Sequence, residues 1–203
     1  MTAGTPAPVL RESMRTSRRE AILDAAVRVA ADGGYEAVRM RVVAERAGIA
    51  VGSLYRYFPS KPHLLVSALT REFERLDGEH DWASTGDTPR QRLERLTARL
   101  QSEWRAKPAL TEAVTRAFVV VPDATAAAEV DRAATAIEHM LARAVAGGDP
   151  TSRERRVAAV IADIWLANLI AWVQQRVTTD EVCQRLDRSV RLLLAHETGG
   201  PSP

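Results

Sequence analysis

The chain has 203 residues, 46% apolar and 5% aromatic, enough to bury one or two cores; its abundance of Ala, Leu and Arg without strand-like alternation predicts an all-α protein. One cysteine, Cys183, excludes an internal disulfide, and His63, His80, His139 and His196 show no metal-ligand spacing, so a reducing cytoplasm and no metal cofactor are expected. Charge is uneven: residues 1–61 hold 10 Lys+Arg against 6 Asp+Glu, net +4, leaving 18 against 20, net −2, so the N-terminal part is the one drawn to phosphate.

Met1 to Leu10 lacks the basic start and apolar core of a signal peptide, and residues 1–16 are expected to form a flexible basic arm. Arg11, Arg15, Arg18 and Arg19 either reach a DNA groove or backbone, or form a solvated tail. Ser17-Arg18-Arg19-Glu20 is a capping box that predicts a helix start. Ile22, Ala26, Val29 and Ala30 share one face of that helix, and Gly33-Gly34 stops it.

Met40 to Lys61 reads as two short helices joined at Gly48, a glycine suited to the left-handed turn. Ala44 and Ala47 allow the close crossing, while Val43, Ile49, Leu54 and Phe58 supply knobs against the upstream helix. Val51, Ser53, Arg56 and Tyr57 are left pointing outward, so residues 17–61 form a helix-turn-helix head. Arg41, near the start of the second helix, has the planar fork that grips guanine O6 and N7 together.

The body, 62–197, follows as a series of helices. One runs from about Pro62 to Leu76, capped by Ser60, and Gly78 to Asp87 reads as a loop. Thr88-Pro89-Arg90-Gln91 caps a helix bearing Leu93, Leu96, Leu100 and Trp104, broken at Lys107-Pro108. A short apolar helix spans about Leu110 to Val121, and Asp123 is set to cap one that closes at Gly147-Gly148. Thr151 and Thr178, each three residues before a glutamate, cap two last helices, with 198–203 a disordered tail. Val157 to Val173 is nearly all apolar, yet Asp163 and Asn168 interrupt it and it is short for a bilayer, so a buried helix and no membrane partner are expected.

The run Ala44-Glu45-Arg46-Ala47-Gly48-Ile49-Ala50-Val51-Gly52-Ser53-Leu54-Tyr55-Arg56-Tyr57-Phe58, followed by Ser60-Lys61 and Leu64-Leu65, resembles the DNA-binding head of TetR-family repressors. Over nearly its whole length the chain also resembles the actinobacterial KstR-type branch that controls sterol catabolism. The runs Gly34-Tyr35-Glu36-Ala37-Val38, Leu110-Thr111-Glu112-Ala113 and Asp163-Ile164-Trp165-Leu166-Ala167-Asn168-Leu169 carry that likeness.

The resemblance implies that Val51, Gly52 and Ser53 approach bases or backbone and that Tyr55, Tyr57 and Lys61 bind phosphate, with Arg56 in either role. Tyr55 divides between that role and packing under its helix, and Lys61 has the plain alternative of a solvated lysine at a helix start. Met40 departs from the pattern, standing where relatives often carry a hydroxyl that anchors phosphate. It also implies a homodimer through helices at about 152–176 and 179–195, a need the large apolar surface there already suggests. A twofold dimer presents two heads roughly 34–36 Å apart to a palindromic double-stranded operator.

In the body it implies a central ligand space, which Phe73, Trp104, Phe118, Met140, Trp165, Asn168, Leu169 and Trp172 are placed to line; ordinary core packing is the competing reading for each. The implied effector is a steroid-derived acyl-CoA. Alternatives are a repressor of efflux or fatty-acid genes with another apolar ligand, and a helical acyl-CoA carrier or enzyme. The sequence has no Ser/His/Asp cluster or phosphate-cradling glycine loop to support an enzyme.

Overall fold

The structure is a computed structural model and describes residues 8–119 and 124–194. The order is α1 (Pro8–Ala37), α2 (Met40–Arg46), α3 (Val51–Tyr57), α4 (Lys61–Glu79), α5 (Pro89–Ala106), α6 (Pro108–Val119), α7 (Ala124–Ala146), α8 (Ser152–Val173) and α9 (Thr179–Leu193), with no strand among the described residues.

The start of α1 corrects the sequence reading. A helix replaces the expected flexible arm from Pro8 onward, and Ser17 lies inside it rather than at its cap. Pro8 suits a first turn, and Leu10 to Arg15 are mostly good helix formers, so nothing local halts the helix at Ser17. The Glu20 carboxylate, expected to fold back on Ser17, accepts from Arg71 Nη1 of α4 at 3.0 Å. Residues 1–7, the Asp123 cap and the 198–203 tail lie outside the described residues.

α1 breaks at Gly34, whose φ of 69° and ψ of −167° turn the chain toward α2. Gly48 takes φ +67° between α2 and α3, as the turn requires. Leu54 of α3 and Val43 and Ala44 of α2 are fully buried with Ile22, Ala26 and Phe58, so the three helices share one core. That core runs on through Leu64 and Leu65 of α4 to Ala113 and Ala117 of α6, which fixes the head to the body.

A second core fills the body, from Phe73 and Leu76 of α4 through Leu93 and Leu96 of α5 to Met140, Ile161 and Leu186. The caps expected at Ser60, Thr88, Thr151 and Thr178 all form. α4 runs three residues past the expected Leu76, through Gly78, and the segment after it is pinned rather than loose. Trp82 is buried and its Nε1 donates to Asp77 Oδ1 at 2.9 Å, while Asp77 Oδ2 accepts from Arg143 of α7 at 3.1 Å. α6 begins at Pro108, so the break at Lys107-Pro108 is a corner between two helices.

α8 is long and apolar enough to cross a membrane. Its buried face, Ala158, Ile161, Trp165, Asn168 and Ala171, packs with α7 and α9. The opposite face carries Val160, 45% exposed within one chain.

Candidate nucleic-acid interface and ligand cavity

α2 and α3 are seven residues each, short because Ala47-Gly48 turns the chain between them and Pro59 follows the second. With Leu54 buried, the side of α3 that carries Gly52, Tyr55 and Arg56 is exposed. A Cβ at Gly52 would meet nothing within 4 Å, so the backbone there is open to close approach. Arg56 Nη2 donates to Ser53 Oγ at 3.2 Å, gathering a guanidinium and a hydroxyl on one turn. Val51 is half-buried at the start of α3, and Arg41 is exposed on the first turn of α2.

The two tyrosines exchange emphasis. Tyr55 is 48% exposed and does not pack under its helix, whereas Tyr57 is half-buried with its ring 6.5 Å from that of Phe58. Lys61 is half-buried too. Its Nζ lies 3.6 Å from the centre of the Tyr35 ring, and burial lowers its pKa below the usual lysine value, with Glu36 acting in the opposite sense.

The body holds a partly open cavity of about 420 Å³ between α1, α4, α5, α6, α7 and α8. Phe73, Trp104, Phe118, Trp165 and Leu169 line it, joined by Leu110, Val114 and Ile137. Trp165 meets Trp104 edge-on at 6.0 Å, and its buried Nε1 has no hydrogen-bond partner. Charged groups also reach the walls: Glu72, Arg75, Glu103, Lys107, Glu138 and Asp163. Sequence reasoning placed none of these on the cavity, because a charged residue on an amphipathic helix gives no sign that it borders a cavity rather than solvent.

Three of the expected lining residues sit elsewhere. Met140 is fully buried in the second core and does not line the cavity. Asn168 Nδ2 donates at 2.8 Å to Ile164 O of its own helix, which satisfies it locally and keeps it off the wall. Trp172 lines a smaller pocket of about 200 Å³ with Arg105, Thr179 and Val182; Trp104, Thr111 and Leu169 border both spaces.

Comparison with known proteins matches the chain in two segments. Residues 22–68 match bacterial regulatory proteins of the tetR family, and residues 86–193 match the tetracyclin repressor-like C-terminal domain. The HTH-type transcriptional repressor KstR of Mycolicibacterium smegmatis is 52% identical over 189 residues, 93% of this chain and 92% of that protein. Among solved structures, a TetR transcriptional regulator from Rhodococcus sp. RHA1 superposes with a TM-score of 0.77 at 24% identity, over 91% of this chain and 98% of the other. FadR of Thermus thermophilus, solved with lauroyl-CoA, does so with a TM-score of 0.68 at 18% identity, over 91% and 97%. With both halves matched and a named repressor covered almost end to end, the chain belongs to the TetR family of DNA-binding transcriptional repressors.

Proposed function

We propose that the chain represses genes of sterol or lipid catabolism as a homodimer on a palindromic operator and is released by a steroid-derived acyl-CoA. The observation that carries the effector half is the apolar cavity of about 420 Å³, walled by Phe73, Trp104, Phe118, Trp165 and Leu169, with Arg75 and Lys107 among its charged groups. Such walls suit a ring system or acyl chain, and Lys107 suits a CoA phosphate, whereas Arg75 is already paired with Glu72 at 3.0 Å and Glu79 at 2.7 Å. KstR-named relatives support the pathway.

In the DNA half, Arg41 reads a base edge, Val51, Gly52 and Ser53 approach bases or backbone, and Tyr55, Arg56, Tyr57 and Lys61 hold phosphates. The dimer forms through α8 and α9, where a second copy covers the apolar face that one chain leaves open at Val160 and Leu193. The effector acts by its differential affinity for the DNA-competent and incompetent arrangements, a population shift with reciprocal coupling.

A mobility-shift titration tests this reading. Full-length protein is bound to the DNA upstream of its own gene and titrated with steroid acyl-CoA, fatty acyl-CoA and free CoA. Release by the steroid thioester ahead of the others is expected. Release by fatty acyl-CoA alone would move the protein to fatty-acid control, and no release by any thioester would remove the effector assignment.

A further inference from the structure

Tyr35 stands just past the Gly34 break, at the seam between head and body, and two cations share its ring. Lys61 Nζ, from the first residue of α4, lies 3.6 Å from the ring centre, and the Arg116 guanidinium, from α6, lies 4.5 Å from it. Arg116 is held in turn by Glu36 at 3.0 Å and Glu112 at 3.8 Å, and the Tyr35 amide donates to Glu112 Oε2 at 3.4 Å. Arg116 therefore has two carboxylates, while among the described residues no carboxylate forms an ion pair with Lys61.

This is an expensive place for an ammonium. It is half-buried on the first turn of a helix, where the dipole disfavours positive charge, and the repulsion of Arg116 is set against the attraction of Glu36 and Glu112. The ring face returns part of that cost and restricts where the flexible side chain can go. A cation so held, with Glu36 and Glu112 close enough to favour its charge but neither in ion-pair contact with it, keeps its ammonium open to an anion from outside.

We propose that Tyr35 and Arg116 are positioning residues for Lys61: the Tyr35 ring fixes the ammonium at the start of α4, and Arg116, crowding the same ring from α6, turns it toward a DNA phosphate. The inference rests on the phosphate role given to Lys61 above. It has a structural consequence for regulation. α6 presents Glu112 and Arg116 to Tyr35 on one side and Leu110, Val114 and Phe118 to the cavity on the other, so one helix touches both the cavity and the residue that aims Lys61.

The test is the salt dependence of binding by full-length protein to a duplex from its own upstream region. Each phosphate contact contributes a slope of about 0.9 in log K against log salt, so Lys61→Met should flatten it by about 1.8 in a dimer. Tyr35→Leu should flatten it almost as much, Arg116→Met part of the way, and Tyr35→Phe, which keeps the ring, not at all. In the Lys61→Met background neither Tyr35→Leu nor Arg116→Met should change the slope further. If either loss persists there, or if both variants keep the wild-type slope while Lys61→Met lowers it, the positioning role is overturned and the phosphate contact stands. A wild-type slope in Lys61→Met removes the phosphate contact and the proposal with it. Should Tyr35→Leu lose its cooperative melting transition, Arg116→Met, altered at a half-exposed side chain, decides the question by the same double-variant comparison.

Discussion

Gly147→Ala should be one of the costliest single-methyl changes in this protein. Gly147 ends α7 with φ +76°, a conformation that costs an L-residue about 1–2 kcal/mol. An added Cβ would also lie 2.9 Å from Cζ, 3.1 Å from Nη1 and 3.2 Å from Nε of Arg92. That guanidinium cannot swing aside freely. Its Nε donates to Ala144 O at 2.8 Å, Nη1 to Gly86 O at 2.9 Å and Nη2 to Val145 O at 2.6 Å, so one buried side chain closes the end of α7 and holds the segment before α5.

Displacing one such charged bond costs about 1.5–3 kcal/mol more. The sum, about 2.5–5 kcal/mol, corresponds to a fall in melting temperature of about 5–20 °C for a chain of this size. Circular dichroism melts of Gly147→Ala and Gly148→Ala make the comparison, because a Cβ at Gly148 meets nothing within 4 Å. In an Arg92→Leu background the Gly147 change should cost only its backbone part. Equal melting temperatures for the two alanine variants would refute the reasoning.

Arg41→Ala should relax base preference at one operator position, by about 1–3 kcal/mol of discrimination, and an unchanged profile in selection sequencing would count against its base-reading role. Val114→Trp fills the cavity from α6 and should leave operator binding intact while raising the acyl-CoA concentration needed for release at least tenfold; unaltered release would place the effector elsewhere. His80 offers a pH test. Burial, with Arg99 at 3.1 Å from Nδ1, holds its pKa below the ordinary 6.5, so the unfolded chain takes up the proton first. The stability it contributes is complete above about pH 6.5 and is lost as pH falls toward the folded value. Melting temperature should therefore drop more steeply on acidification in the wild type than in His80→Phe, and parallel curves would contradict the assignment.

Local signals with one physical solution were legible in the sequence. Gly48 had to take the left-handed turn, Ser60, Thr88, Thr151 and Thr178 had side chains spaced to cap, and each did so. Ser17 had the same spacing and failed, because a capping box only competes with helix continuation and the residues before it also favour helix. Long-range partners were not legible. Arg92 reads as one more exposed arginine until α7 ends beside it, and Trp82 sits in a polar stretch whose anchor, Asp77, is visible only once α4 reaches Glu79.

The cavity shows the same limit. Large residues on apolar stripes were the right type, yet which ones face empty space depends on helix rotation. Phe73, Trp104, Phe118, Trp165 and Leu169 turn toward it, and Met140 turns into solid packing. In the head, Tyr55 and Tyr57 are two residues apart on a short helix, and burial against Phe58 rather than residue type decides which one is open. Tyr35 carries no sequence signal beyond its place in a family-like run, and its position between Lys61 and Arg116 depends on how α4 and α6 pack against the end of α1.

The central claim, that the helical trio at the N-terminus docks on duplex DNA in twofold pairs, is tested most directly by footprinting the full-length protein on the DNA upstream of its own gene at low ionic strength. The account predicts two symmetry-related protected half-sites whose centres are roughly 34–36 Å apart, bound by a dimer. A monomeric protein that leaves this DNA uniformly unprotected would contradict it.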